Sequence, residues 1–89
     1  MTRSIAEIWS RIESHAGEDF ILTRGQVFQY EVPGRYLRPI GRVRHLSQSN
    51  FAKALRRVPL VNTGSVKDLQ GPSYVFSILM DPRIRRRDW

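Results

Sequence analysis

The hydrophobic positions at the start of the chain recur at the spacing of an α-helix. The apolar stripe consists of Ile5, Ile8, Trp9 and Ile12. Ser4 precedes the stripe and Glu7 follows it by three positions, which is the spacing of a capping box. Gly17 is the kind of residue that ends a helix. We therefore predict a helix over 5–16 whose broad apolar face packs on a sheet.

After this helix, the spacing of the apolar positions changes to that of β-strands. Three strand-like runs follow one another, at 20–23, 27–32 and 36–40. The middle run alternates, with Phe28 and Tyr30 on the same face. Pro39 in the last run predicts an edge strand, because proline has no N–H to donate to a neighbouring strand. Together the runs predict a three-stranded antiparallel meander over 20–40.

Helical spacing returns in the segment 46–59, which is the clearest helix of the sequence. Ser47 is a good N-cap, and Pro59 predicts that the helix ends near Val58, because the residue before a proline avoids the α region. One face is apolar and consists of Phe51, Ala54, Leu55 and Val58. The opposite face is polar and basic and consists of Ser49, Lys53, Arg56 and Arg57.

The last predicted helix begins at Gly71-Pro72, since proline suits the first helical position. Residues 74–80 are almost all apolar, which predicts a helix buried on nearly every side, within the chain or across a dimer interface. The sequence thus predicts an α+β fold of order α-β-β-β-α-α. It forms one domain over 1–82, followed by a basic C-terminal tail over 83–89.

Charge is distributed unevenly along the 89 residues, whose formal net charge is +7. Residues 1–34 hold three basic and five acidic residues, whereas residues 35–89 hold twelve basic and three acidic ones. A basic half of this strength indicates a polyanionic partner. Thirteen of the fifteen basic residues are arginine, however, which the codon usage of a GC-rich genome would also produce.

The most concentrated basic feature precedes the central helix. Arg42 and Arg44 lie directly before its N-terminus, where exposed backbone N–H groups attract anions. We interpret the protein as a small nucleic-acid-binding module, with DNA favoured over RNA. The predicted phosphate contacts are Arg42, Arg44, Lys53, Arg56, Arg57, Arg83, Arg85, Arg86 and Arg87. The side chains nearest base edges are Ser47, Gln48, Ser49 and Asn50.

The sequence offers little for other functions. There is no cysteine and there are only two histidines, His15 and His45, so no metal-ligand spacing is visible. No Gly-rich phosphate loop or nucleophile elbow occurs either. We expect no enzyme, metal or cofactor. No apolar run approaches the roughly 20 residues of a membrane span, so we expect a cytoplasmic protein. The alternative is a protein-interaction or accessory subunit whose apolar last helix forms a homodimer or partner interface.

The predicted order α-β-β-β-α over Ile5 to Val58 resembles that of double-stranded RNA-binding domains. That family carries a Lys-Lys-x-x-Lys cluster at the start of its second helix, where this chain has Gln48-Ser49-Asn50-Phe51-Ala52-Lys53. The loops between strands are also too short for the family's minor-groove loop. DNA-binding modules that set a helix against a three-stranded sheet are similar in the same distant sense. The resemblance is topological and assigns no family.

Overall fold

Helices precede and follow two small antiparallel sheets in a computed structural model that describes residues 4–89. The elements in chain order are α1 (Ile5–Ser14), β1 (Phe20–Ile21), β2 (Val27–Phe28), β3 (Tyr30–Glu31), β4 (Tyr36–Pro39), β5 (Leu46–Ser47), α2 (Gln48–Leu55), a 3-10 helix (Thr63–Val66), α3 (Pro72–Leu79) and α4 (Pro82–Arg85). The mixed α+β class is confirmed, with a helix first, then strands, then helices.

The predicted meander is divided between the two sheets. β1 pairs with β2, while β3, β4 and β5 form a separate sheet in that order. The run 27–32 is interrupted at Gln29, and Leu46–Ser47 forms a strand that the pattern did not predict. The predicted edge position of the strand containing Pro39 was wrong, because β4 lies between β3 and β5. Pro39 is tolerated because β5 pairs only with the first two residues of β4.

α1 forms as its sequence predicts, although it ends earlier. Its buried side chains are Ile8, Trp9 and Ile12. The Ser4 hydroxyl accepts a hydrogen bond from the backbone N–H of Glu7 and caps the first turn. The last helical residue is Ser14 rather than residue 16, and Gly17 adopts a φ of +88° in the following turn. A positive φ suits glycine, which has no Cβ to clash.

An aromatic cluster joins the sheets to α1. Tyr30 is fully buried, and its hydroxyl donates a hydrogen bond to the carbonyl of Ile12 at 2.6 Å. This bond satisfies the polar end of an otherwise apolar side chain, while burial raises the pKa of Tyr30. The ring centroid of Phe20 lies 5.1 Å from that of Tyr30 and 5.9 Å from that of Phe28. The cluster therefore links β1, β2 and β3 to one core.

The apolar helix α3 is largely covered within the single chain. Its buried residues are Val75, Ser77, Ile78 and Leu79, while Tyr74 and Phe76 are partly buried. Gly71 precedes the helix with a φ of +59°, and a Cβ there would lie 2.8 Å from Leu46 Cδ2. The apolar composition of α3 is thus explained without a second subunit.

No helix within residues 4–89 combines the length and apolarity that crossing a bilayer requires.

Residues 83–89, predicted as a tail outside the compact domain, pack against it. Ile84 in α4 is fully buried. The indole N–H of Trp89 donates to the carbonyl of Leu79 at the end of α3, at 2.9 Å. Arg11 of α1 forms an ion pair with Asp88 at 2.6 Å. The C-terminal segment is therefore part of the same packed unit, despite its four arginines.

Candidate nucleic-acid interface

The central helix α2 has the predicted start and a shorter course. The Ser47 hydroxyl accepts a hydrogen bond from the N–H of Asn50 at 3.1 Å, as an N-cap does. The helix ends at Leu55, three residues before the predicted end near Val58. Its buried residues are Asn50, Phe51 and Ala54. The exposed residues of the predicted basic face are Ser49, Lys53, Arg56 and Arg57.

Asn50, predicted to lie near base edges, faces the interior of the protein. Only 7% of its surface is exposed. Its Nδ2 donates to the carbonyl of Gln70 at 2.9 Å, and its Oδ1 accepts from the N–H of Gln70 at 3.0 Å. The Asn50 amide therefore ties α2 to the loop before α3, and it is not available to a ligand.

We expect Asn50→Ala to lower the free energy of unfolding by about 1–3 kcal/mol, because two backbone groups of Gln70 lose their partner in a part-buried site. Chemical denaturation measures this loss. Gln48→Ala is the matched control, since Gln48 lies on the other side of the same helix, in an open groove; it should change stability by less than about 0.5 kcal/mol. Equal losses in the two variants would contradict the structural role of Asn50.

Arg57, a predicted phosphate contact, is paired with a carboxylate. Its guanidinium donates to the two Asp68 oxygens at 2.6 and 2.9 Å, and also to the carbonyl of Ser65 at 3.1 Å. The hydrogen bond from Arg57 is the main reason that the pKa of Asp68 falls to about 2. An exposed pair of this kind adds little stability. It does neutralise Arg57, which is therefore a weaker candidate than its unpaired neighbours.

Arg83, also a predicted phosphate contact, is held by acidic groups of the protein. It donates to Asp81 at 2.9 Å, to Glu18 at 3.1 Å and to the carbonyl of Asp19 at 2.8 Å. Its guanidinium carbon lies 3.8 Å from the centroid of the Phe20 ring, in a cation–π contact. Burial opposes the ionisation of Asp81, but hydrogen bonds from Arg83 outweigh it and lower its pKa. Arg83 thus stabilises the fold.

The three remaining C-terminal arginines line a groove together with Trp89; they are Arg85, Arg86 and Arg87. Arg85 Nε donates to the carbonyl of Trp89 at 2.8 Å. Arg86 Nε donates to the carbonyl of Arg83 at 3.2 Å, and both Arg86 and Arg87 are exposed. These residues belong to a surface that is separate from α2.

The separation of the C-terminal arginines from α2 follows from the fact that α2 and α4 contact different sides of α1. Trp9 contacts Phe51 of α2, whereas Arg11 donates a hydrogen bond to the carbonyl of Ile84 in α4. Two positions along an α-helix are about 200° apart around its axis. α2 and α4 therefore lie on different sides of α1, and their arginines do not form one continuous patch.

An open groove of about 660 Å³ lies at the start of α2. Its lining residues are Ile5, Arg35, Ser47, Gln48, Ser49 and Ala52. The carbonyl of Arg35 accepts a hydrogen bond from the N–H of Gln48 at 2.7 Å, which joins the β3–β4 turn to the helix. The sequence prediction missed Arg35 as a site residue. Its position just after Pro33-Gly34 indicated a turn, but the contact with α2 depends on the pairing of β4 with β5.

Several cations lie outside the ion pairs that the described part of the chain forms. Within residues 4–89, the ion pairs include none of Arg35, Arg42, Arg44, Lys53 and Arg56. Arg42 lies apart, in another groove that also includes Val27 and Tyr74. Arg44 is exposed, precedes β5 and is not among the residues that line the groove. We call the polar and basic residues of the helix and its groove the α2 surface; it consists of Arg35, Ser47, Gln48, Ser49, Lys53 and Arg56.

Comparisons of the chain with protein-family models, with curated proteins and with solved structures found no match. Within residues 4–89, no group of three His, Asp or Glu side chains could hold a metal ion. At the N-terminus of α2, the guanidinium of Arg35 lines a groove with hydroxyl and amide groups, while Lys53 and Arg56 are exposed toward the other end of the helix. Groups of this kind suit an oxyanion.

Proposed function

We propose that the protein is a small nucleic-acid-binding module, with DNA favoured over RNA, that binds the phosphate backbone through the α2 surface. The observation that carries the proposal is a set of cations outside the ion pairs of the described residues: Arg35 lines the groove at the start of α2, and Lys53 and Arg56 are exposed further along the helix and at its C-cap. Each cation that contacts a phosphate releases condensed counterions from the nucleic acid, which drives association. The dipole of α2 adds favourable polarity at this end of the helix.

The polar residues of the α2 surface have different roles in this proposal. Ser47 caps the helix, and the hydroxyls of Ser47 and Ser49 are 3.1 Å apart. Gln48, which lies between these two serines in the sequence, also lines the groove. Its amide both donates and accepts hydrogen bonds, so among the predicted base-edge residues it is the best candidate for contact with a base. We propose binding without catalysis, and action in the cytoplasm.

Replacing Arg35, Lys53 and Arg56 together by Ala is expected to weaken binding and its salt dependence. If each side chain neutralises one phosphate, the slope of log K against log salt should flatten by about 2.7 on duplex DNA and about 2.1 on a single strand. The fold should persist, because all three side chains are exposed. Fluorescence anisotropy titrations at a series of salt concentrations measure the slope.

A matched control removes the same charge elsewhere, in the triple variant Arg24→Ala, Arg86→Ala and Arg87→Ala. All three residues are exposed and lie in the β1–β2 turn or the C-terminal segment. The control should retain nearly the wild-type slope. A loss of slope in the control alone would move the interface to the C-terminal arginines. A wild type that binds no duplex, single strand or RNA at low salt would refute the proposal.

The alternative function is that of a protein-interaction subunit. Its support comes from exposed apolar side chains on and near β1 and β2, and not from the apolar last helix that the sequence indicated. α3 is largely covered within the chain. Ile21 and Val27, however, are directly opposite each other on β1 and β2 and are 63% and 58% exposed. Ile40, at 55% exposure, lies with Val27 at the edge of a groove. An apolar strip of this kind favours contact with another protein.

A further inference from the structure

The sheet formed by β3, β4 and β5 has a polar outward face. Tyr30, Leu37 and Leu46 are fully buried and define its inward face. Successive residues of a strand point to opposite faces, and the register pairs Glu31 with Arg38 and Tyr36 with Ser47. The outward residues of the sheet are therefore Glu31, Tyr36, Arg38 and Ser47. This face meets the α2 surface at Ser47, which is also the N-cap of α2.

Two aromatic rings stack at this junction. The ring centroids of Tyr36 and His45 are 4.5 Å apart, and the ring planes differ by 31°. Tyr36 is partly buried, whereas His45 is exposed. One side of the imidazole thus rests on Tyr36, and the other is accessible to a planar ligand. A pair of this kind is a platform on which a third ring can stack.

The charges around the platform suit a polyanion. Arg35 adjoins Tyr36 in the chain and Arg44 adjoins His45; both arginines are exposed and outside the ion pairs of the described residues. The acidic residue on this sheet face, Glu31, is paired with Arg38. A ligand at the platform would therefore meet two available cations and a neutralised carboxylate.

We propose that the ligand is a single-stranded nucleic acid, with one base stacked on the Tyr36–His45 pair and adjacent phosphates bound by Arg35 and Arg44. The inference rests on the proposed function and specifies its partner. A duplex keeps the faces of its bases inside its own stack, whereas a single strand exposes them to aromatic side chains. From the platform, the strand continues past Ser47 along the α2 surface.

Three ligands of equal length test the stacking: oligothymidylate, an abasic oligonucleotide and a DNA duplex. At equal salt, the wild type should bind oligothymidylate more tightly than the other two. His45→Ala should weaken binding of oligothymidylate about fivefold to tenfold, since one base loses its stacking partner. It should leave abasic binding and the salt slope unchanged, because no phosphate contact is lost.

Substitutions of Tyr36 supply a second measurement. Tyr36→Phe keeps the ring and should bind oligothymidylate like the wild type, whereas Tyr36→Leu should lose affinity as His45→Ala does. Circular dichroism checks the fold of each variant. If Tyr36→Leu is unfolded, His45→Ala decides alone, because His45 is an exposed residue.

The outcomes separate this inference from the proposed function. Unchanged affinity of His45→Ala for oligothymidylate, or equally tight wild-type binding of the duplex, would overturn single-strand stacking. Backbone binding would survive if the Arg35, Lys53 and Arg56 variant still flattened the salt slope. Absence of wild-type binding to all three ligands at low salt would overturn both.

Discussion

Deletion of residues 83–89 is expected to remove most of the free energy of unfolding. Truncation of one buried isoleucine costs about 2–5 kcal/mol and of one packed tryptophan about 3–5 kcal/mol. The deletion removes Ile84, which is fully buried, and Trp89, which packs against the core and hydrogen-bonds Leu79. A domain of this size has about 5–15 kcal/mol in total. We therefore expect a truncated chain that is largely unfolded by circular dichroism.

The control for this deletion separates packing from charge. Arg86→Ala with Arg87→Ala removes two exposed arginines of the same segment and should leave the denaturation midpoint nearly unchanged. Ile84→Ala alone should show a loss of about 2–5 kcal/mol. A truncated protein with the wild-type midpoint would mean that the segment is a solvated tail, as the sequence alone predicted.

Phe51→Ala is expected to lower the free energy of unfolding by about 3–5 kcal/mol, as truncation of a buried phenylalanine does. Phe51 is fully buried, and its ring meets that of Trp9 in an edge-to-face contact with centroids 5.6 Å apart. Such a pair contributes beyond its buried area. The contact holds α2 against α1, so its loss should also weaken nucleic-acid binding. Urea denaturation measures the stability of the variant.

Val61→Ala is the control for Phe51→Ala, because Val61 is 84% exposed. It should change stability by less than about 0.5 kcal/mol. A loss below about 1 kcal/mol for Phe51→Ala would show that the contact between α1 and α2 is not part of the core.

The arginines of the described residues differ in whether they form an ion pair with a carboxylate. One group is paired with carboxylates of the protein; it consists of Arg11, Arg38, Arg57 and Arg83. The other lies on the surface outside the ion pairs of the described residues and includes Arg35, Arg42, Arg44 and Arg56. The net charge of +7 therefore does not show which arginines are paired with carboxylates. The arginines outside these ion pairs can attract a polyanion, whereas the paired arginines are already bonded to carboxylates of the same chain.

Local sequence signals determined the types of the main elements and the first residues of three helices. Ser4 and Ser47 cap the predicted helices, and Pro72 occupies the start of α3 as predicted. These signals are reliable here because a cap or a first-turn proline interacts with residues only two or three positions away. The apolar stripes of α1 and α2 likewise required only the helical period.

Tertiary structure decided which polar residues remain available to a ligand. Asn50 is bonded to Gln70, Arg57 to Asp68 and Arg83 to Glu18, over separations of 20, 11 and 65 residues. No local spacing determines partners so far along the chain. The stacking of Tyr36 on His45 likewise depends on how β4 and β5 pair, and the burial of Ile84 depends on where α4 docks. The sequence thus determined the main helices and their first residues, whereas long-range packing decided how the strands divide between two sheets and which polar side chains remain exposed.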